Sequence, residues 1–486
     1  MPSNEIIAMS AMEAVRRLRQ REIAPIELVE AALARIERVE PAVNAMPIVC
    51  ADRARAHARR LERMPPKEGR GWLGGLPIAI KDLTSVAGVR TTHGSPIYAG
   101  HVPDRSDLVV EILEARGAIV IGKSNTPEFG AGANTFNPVF GKTRNPWDTR
   151  LSSAGSSGGS AVALATGEVW LASGSDLGGS LRTPASFCSV VGLRPSPGRV
   201  PNAPSALLFD LLSVEGPMAR TVEDTALMLD ALAAYHPADP LSYPVPVEGY
   251  ADVAGRRIVP RRIAFSPDLG ISPVDGEVKG ITETAALRFV DLGATVEQAC
   301  PDFTEAPETF QVLRAASYVA SMEPLYRDHR RLLKEDIIWN LEQGFALTAQ
   351  RIGEAERARG RIFHTIAEFF ARYDLLLCPT ACTPPFDVEQ RYPVEVAGHA
   401  FTNYVDWLRL VSAITLTSCP ALSLPCGFTA EGLPVGLQLV GRPRGEAELL
   451  SAAAALEEAL GLGRLTPIAP RSRAEPLRFQ SNTSPG

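Results

Sequence analysis

Short apolar runs of strand length alternate with helical patterns along most of the chain, and few folds accommodate that alternation. The runs occupy residues 76–80, 118–122, 169–173, 262–265, 375–378, 421–424 and 436–440. Val109, Val110, Ile112 and Leu113 mark one helix, after which Gly117 leads into Ala118-Ile119-Val120-Ile121-Gly122-Lys123. Gly293-Ala294-Thr295-Val296 follows another helix in the same way. Helix, glycine, buried strand is the local unit, and it predicts an α/β layer structure. With 486 residues there is ample material for a core. No internal repeat or linker stands out, because the proline-rich pieces at 195–204 and 237–246 are short and interrupted by apolar residues. One large domain over residues 1–479 is expected, followed by a mobile polar tail at 480–486.

The chain opens with helices, expected to pack on that domain over about 10–63. Ser10 and Glu13 have capping-box spacing, and Pro25 suits a first helical position ahead of Leu28, Ala32, Ile36 and Val39. Pro41 is expected to end that second helix, a third covers 50–63, and Pro65-Pro66 with Gly69 and Gly71 make the first clear break.

Charge and cysteine content exclude several function classes. The 49 basic and 55 acidic side chains give a net charge of −6 without a basic stripe, which argues against nucleic acid as a partner. No segment approaches the roughly 20 apolar residues that cross a bilayer, and the N-terminus lacks signal-peptide features, so no membrane partner and a cytoplasmic location are expected. The seven cysteines are scattered and odd in number, unlike a disulfide framework. Cys378 and Cys382 flank Pro379 without a nearby histidine, and the histidines show no metal-binding spacing, so buried thiols and no metal are expected.

The chemistry lies in two serine-glycine clusters. Composition alone would make Ser152-Ser153-Ala154-Gly155-Ser156-Ser157-Gly158-Gly159-Ser160 a flexible linker. A short apolar segment separates it from Gly174-Ser175-Asp176-Leu177-Gly178-Gly179-Ser180, and that second cluster overturns the linker reading. Gly155-Ser156-Ser157-Gly158-Gly159 fits the Gly-x-Ser-x-Gly elbow, with Ser157 as nucleophile. The polar, proline-containing residues 143–150 before it do not read as the strand such an elbow needs, so Ser157 is the runner-up. Ser180 has better support, since 169–172 reads as a buried strand and 181–191 as a short helix. The glycine turn between them bares backbone N–H groups for a developing oxyanion. A serine nucleophile needs a base, and no histidine lies between His101 and His236. Lys81 ends an apolar strand, where desolvation would lower its pKa toward that of a usable proton acceptor.

Leu76-Pro77-Ile78-Ala79-Ile80-Lys81-Asp82, the Gly155 to Ser160 block, and Gly174 to Arg182 followed by Pro184-Ala185 and Val191-Gly192-Leu193-Arg194-Pro195 closely resemble the amidase signature family. Gly216-Pro217-Met218-Ala219-Arg220 and Gly432-Leu433-Pro434-Val435-Gly436 extend the likeness over nearly the whole chain. The resemblance implies a single α/β domain whose central mixed sheet is covered by helices on both faces. It also implies a triad of Lys81 as base, Ser156 as relay following a cis peptide bond, and Ser180 as nucleophile. By the same likeness the N–H groups of Leu177, Gly178, Gly179 and Ser180 form the oxyanion hole, Ser157 and Asp176 support the site, and no cofactor is needed. The implied partner is a small-molecule amide, with room for a homodimer.

Other readings compete at several positions. Lys81 would pair with Asp82 in an ordinary structural role, and Asp176 is equally a turn or helix-cap residue. His93 and His101 read as solvated loop histidines, and Cys419 and Cys426 as buried filler. Three residues depart from the family pattern: Ala154 stands where glycine is common, and Thr415 and Ser418 stand where Asn and Gly are, which would make that pocket wall unusual. The expected activity is amide hydrolysis, extending to aryl amides, esters or carbamates, with the aromatic loop 129–140 lining an apolar pocket. The alternatives are a glutaminase subunit of a tRNA-dependent amidotransferase, against which Thr183 counts because glutamine is usual there, and a non-catalytic scaffold subunit with the same fold.

Overall fold

Eleven strands form one mixed sheet, flanked by helices, in a computed structural model that describes residues 3–64, 69–463 and 465–476. In chain order they are β1 (Ile48–Val49), β2 (Pro77–Lys81), β3 (Ile119–Ser124), β4 (Leu171–Asp176), β5 (Val191–Arg194) and β6 (Val214–Ala219). β7 (Arg262–Phe265), β8 (Thr295–Gln298), β9 (Leu375–Pro379), β10 (Ala421–Phe428) and β11 (Pro434–Val440) complete it. Across the sheet the order is β1, β3, β2, β4, β6, β5, β10, β11, β9, β7, β8. β2 runs parallel to both β3 and β4, while β6 runs antiparallel to β4 with Glu215 opposite Ser175. The ends of β2 and β4 and the start of β6 therefore meet on one sheet edge. One apolar cluster runs from Ile6 in the N-terminal helices to Leu456 in the last helix, so the chain forms a single domain. Residues 65–66 of the expected break and the tail 480–486 lie outside the described residues.

The apolar runs became strands because their side chains are buried on both sheet faces, as for all five residues of β2 and of β9. β5 and β6 were not legible as strands, since Gly192, Arg194, Glu215, Gly216 and Pro217 interrupt their apolar character. The segment after Gly293 corrects an expectation: β8 is an outermost strand, not a buried one, and its residues are exposed or half-buried. Glu297 in it pairs with Arg262, the kind of charge that keeps a sheet edge from recruiting another strand.

Pro41 does not end its helix, which runs over Pro25–Val43 and stops at Asn44 in the left-handed region. So near the helix end the proline removes one hydrogen bond, and Val43 remains fully buried beyond it. At Ser10 only half of the capping box forms. The Ser10 side chain accepts from the Glu13 N–H, while the Glu13 carboxylate is held by Arg16 and Arg17. The helix expected over 181–191 is shorter, Arg182–Cys188, and β5 follows it directly.

That helix lies close on the sheet at Gly192, where a Cβ would stand 2.3 Å from Leu181 O and 2.9 Å from Ala185 Cβ. Gly192→Ala should therefore destabilise the fold by about 1–3 kcal/mol in urea unfolding. Gly280→Ala, on an exposed face of the helix Gly276–Asp291 with nothing within 4 Å, should instead stabilise by about 0.5–1 kcal/mol.

Candidate active site

Lys81 is the last residue of β2 and is fully buried. Its Nζ lies 2.7 Å from Ser156 Oγ, 3.0 Å from Ser157 Oγ and 3.0 Å from Ser175 Oγ. A hydroxyl both donates and accepts, so these three suit the ammonium, which only donates, and the neutral amine, which accepts once. Burial pushes the Lys81 pKa down to about 7, against the opposing pull of the Glu215 and Asp176 carboxylates. Burial likewise raises Glu215, whose Oε2 has no hydrogen-bond partner among the described residues. The ordinary pairing of Lys81 with Asp82 does not occur. Asp82 accepts instead from the buried Lys123 at 2.9 Å and from Thr92.

The first serine cluster reaches Lys81 through a loop between Asp148–Ser152 and the helix Gly158–Thr166. The Gly155–Ser156 peptide bond is cis, the geometry that the family resemblance implies for Ser156. Ala154 takes φ 55° in that loop, the left-handed region where glycine is at ease and alanine is strained. Before Ser157 there is a strand after all, which corrects the sequence reading. Asp148–Ser152 pairs with Arg144–Asn145 in a hairpin outside the central sheet. Ser157 is fully buried behind Ser156, donating its hydroxyl to Ser175 O (3.3 Å) and its N–H to Ser180 O (3.2 Å).

The second cluster turns sharply at the end of β4. Asp176 accepts from the N–H groups of Gly179 (2.9 Å) and Leu181 (3.1 Å), which folds residues 177–180 into a turn. Gly179 has φ 110°, a conformation that a side chain resists. Asp176 also meets Arg182 at 2.9 Å and Arg194 at 3.3 Å, all three fully buried. Burial works to raise the Asp176 pKa, but the two guanidiniums override it and hold the carboxyl well below the usual range. Asp176 is thus a turn-forming and charge-balancing residue. Because its carboxylate engages the Gly179 N–H, the N–H groups of Leu177, Gly178 and Ser180 are those left without a partner among the described residues.

Ser156, Ser175, Leu177, Gly178 and Ser180 line a cavity of about 270 Å³, and Ser157 does not. The structure therefore brings Lys81 to Ser156, and Ser156 and Ser180 to one cavity. Ser180 Oγ makes no hydrogen bond with a described residue. The loop 129–140 reaches the cavity through Phe129, Gly130 and Gly132, and Phe129 is its one aromatic lining residue, because the Phe136 ring lies under Lys334 and the Phe140 ring under Arg90. The remaining aromatic wall comes from Phe310, Tyr318 and Tyr404, remote in sequence from every motif. Thr415 and Ser418 are not among the residues that line this cavity. Thr415 Oγ1 accepts from Arg182 beneath the 177–180 turn, and Ser418 sits at φ 56° with its Oγ 3.4 Å from Arg359.

His93 is not solvated: it packs against Tyr98 and Phe129, and burial pushes its pKa down to about 4. His101 is exposed. Sequence reasoning missed Ser175 and Glu215. The two-residue period of β4, which sets Ser173 and Ser175 on one face, and a lone acid in an apolar strand were the available signals. Among the described residues no cluster of His, Cys, Asp and Glu could hold a metal ion, and no helix is long and apolar enough to cross a membrane.

Known proteins are similar to this chain in sequence and in fold. The sequence pattern of the Amidase family matches residues 27–450. Over 453 residues the chain is 35% identical to an acylamidase of Rhodococcus erythropolis, covering 92% of this chain and 95% of that one. It is 36% identical over 469 residues to a glutamyl-tRNA(Gln) amidotransferase subunit of Thermosynechococcus vestitus, covering 91% and 96%. Among solved structures, a bacterial aryl acylamidase of the amidase signature enzymes superposes with a TM-score of 0.87 at 28% identity, covering 94% of this chain and 97% of that one.

Replacing Asp176 with asparagine leaves two buried guanidiniums without their counter-charge. Asp176→Asn should lower unfolding stability by about 3–5 kcal/mol in urea titration, and an unchanged midpoint would mean the charges are balanced elsewhere.

Proposed function

The chain belongs to the amidase (amidase signature) family and is an amide-hydrolysing enzyme, and from that premise we propose that it cleaves small-molecule amides through an acyl-enzyme on Ser180. Aryl amides, esters and carbamates fall within the same chemistry. The observation that carries the reading is the 2.7 Å contact between the buried Lys81 amine and Ser156 Oγ, on the floor of a cavity that Ser180 also lines.

In this mechanism the neutral Lys81 amine takes the Ser156 hydroxyl proton as Ser156 takes that of Ser180. Ser180 Oγ then bonds to the substrate carbonyl carbon. The charge that develops on the carbonyl oxygen is met by backbone N–H groups of the 177–180 turn. When the tetrahedral intermediate collapses, the C–N bond breaks and the relay returns the proton to the leaving amine. Water, deprotonated by the same relay, attacks the acyl-enzyme and frees the acid and Ser180. Ser157 and Ser175 hold the Lys81 amine in place. The cavity, at the small end of the range for ligand sites, suits a small acyl or aryl group, and Phe129, Phe310 and Leu177 give it an apolar wall.

One observation favours a second reading, a glutaminase subunit: the identity to the amidotransferase chain of Thermosynechococcus vestitus over most of the sequence. Against it, Thr183 follows Arg182 where the sequence pattern of that group has glutamine. Release of glutamate and ammonia from glutamine by the isolated chain, with no turnover of anilides, would decide for the second reading.

A fluorophosphonate probe should label Ser180, as located by peptide mapping, and Ser180→Ala should abolish both labelling and turnover by a factor of about 10³ or more. Label on Ser157 would restore the elbow reading, and no label would favour a scaffold. Because the acceptor is a lysine with a lowered pKa, the acylation rate should rise with pH through about 7 and then level off. Glu215 raises the Lys81 pKa, so Glu215→Gln should move that rising limb to lower pH. Stopped-flow acylation across the pH range measures both.

A further inference from the structure

Arg314, on the helix Ala306–His329, lines the same cavity as Ser156 and Ser180, is only 6% exposed, and forms no ion pair with any described carboxylate. Its Nη1 donates to Asn340 Oδ1, and its Nη2 donates to the hydroxyls of Tyr318 (2.9 Å) and Tyr404 (2.5 Å). Asn340 Nδ2 donates to the same Tyr404 oxygen (2.6 Å) and to Asp336 O. The two phenol oxygens thus act as acceptors here, and neither phenol O–H has an acceptor of its own among the described residues.

The cluster is rich in donors and poor in acceptors. A guanidinium carries five N–H donors and no acceptor, and each phenol adds an O–H. The neighbouring acid, Asp336, favours the Arg314 charge only from a distance, because its carboxylate is engaged directly by Arg391 and by Lys334 at 3.3 Å. The Tyr318 and Tyr404 rings also face the guanidinium, with centroids 4.4 and 5.2 Å from Cζ, and ease its burial without supplying a counter-charge. A buried, unpaired cation is costly unless a ligand completes it.

Its position relative to the nucleophile turn is also set. Phe310, one turn earlier on the same helix, packs on Gly178, where a Cβ would lie 2.9 Å from the Phe310 ring. Four residues of helix advance about 6 Å, so the Arg314 backbone stands about that far along the helix axis from the Phe310 position, and both side chains line the one cavity. We propose that Arg314, with the Tyr318 and Tyr404 hydroxyls, forms an anion subsite that binds a carboxylate borne by the substrate a few bonds from the scissile C–N bond. This deepens the amidase reading and rests on it. The preferred substrates are then carboxylate-bearing amides, held by the N–H groups that Arg314 does not give to Asn340 and the two tyrosines and by the phenol O–H donors.

The test compares p-nitroanilides of succinic, glutaric and adipic monoacids with their carboxamide counterparts, and N-acetyl-4-aminobenzoate with N-acetyl-4-aminobenzamide. The first set puts the carboxylate on the acyl side and the second on the amine side. At least one carboxylate should exceed its carboxamide partner in kcat/KM by about tenfold or more, and Arg314→Gln should reduce that ratio by a similar factor. If Arg314→Gln does not fold by circular dichroism, Tyr404→Phe, which keeps the ring, should lower the ratio by about threefold. Turnover of the neutral amides with no preference for any carboxylate, or a preference that both variants leave unchanged, overturns the subsite and leaves the amidase reading standing. Absence of turnover and of a Ser180 acyl-enzyme with every amide overturns the reading itself, and the subsite with it.

Discussion

The turn at residues 177–180 depends on one buried charge. Asp176 sits at the end of β4, out of water, and is retained as a carboxylate only because Arg182 and Arg194 flank it. Each guanidinium in turn carries a constraint outward. Arg182 donates to Gln438 Oε1 at 2.6 Å and Val411 O at 3.0 Å, which ties the turn to β11 and to the helix Arg409–Leu416. Arg194 donates to Leu212 O at 2.8 Å, just before β6. The cluster therefore locks four separate stretches of chain around residues 177–180, and the free N–H groups of that turn point where they do because a backbone bond to Asp176 bends it. Such a network costs desolvation, and it is kept where a fixed backbone geometry matters more than stability.

Lys81 solves the complementary problem. A lysine in water is a poor base because it is protonated, and burial at the end of an apolar strand weakens that preference by bringing its pKa down to about 7. Burial without partners would be expensive, and three hydroxyls remove the expense without adding a charge. A carboxylate partner would have raised the pKa again. The site keeps its acids at a distance suited to that purpose: Asp82 is paired to Lys123, Asp176 to two arginines, and Glu215, itself raised by burial, modulates Lys81 without contacting it as an ion pair.

Local chemistry was legible in the sequence, and the walls around it were not. An apolar strand ending in lysine and a glycine turn ending in serine carry their meaning within a few residues each, so Lys81 and Ser180 stood out locally, whereas Ser156 was singled out over Ser157 only by the family resemblance. Ala154 and Ser418, flagged only because glycine is usual there, both take left-handed φ values, so the backbone demand persists although the residue best suited to it has been replaced. β5 and β6 escaped notice because a central strand can carry Gly192, Glu215 and Pro217 when its neighbours supply the packing. Phe310, Arg314 and Tyr318 escaped because their helix shows no clear apolar stripe. It buries residues on several sides, and an arginine on it reads like any solvated one.

This division has a physical basis that bears on how specificity arises in such a fold. The reacting groups sit on strand ends and the turns after them, where the sheet holds positions to within a hydrogen bond. The cavity opposite is closed by the long helix Ala306–His329 and by Tyr404 and Leu408 from the loop that leads into Arg409–Leu416. Side chains on those elements can change without disturbing the Asp176 cluster, apart from the Val411 carbonyl and Thr415 hydroxyl that Arg182 holds. In the proposed mechanism the same proton path serves amides of different shape and charge, and the proposed anion subsite places the choice among them on the residue one turn beyond Phe310.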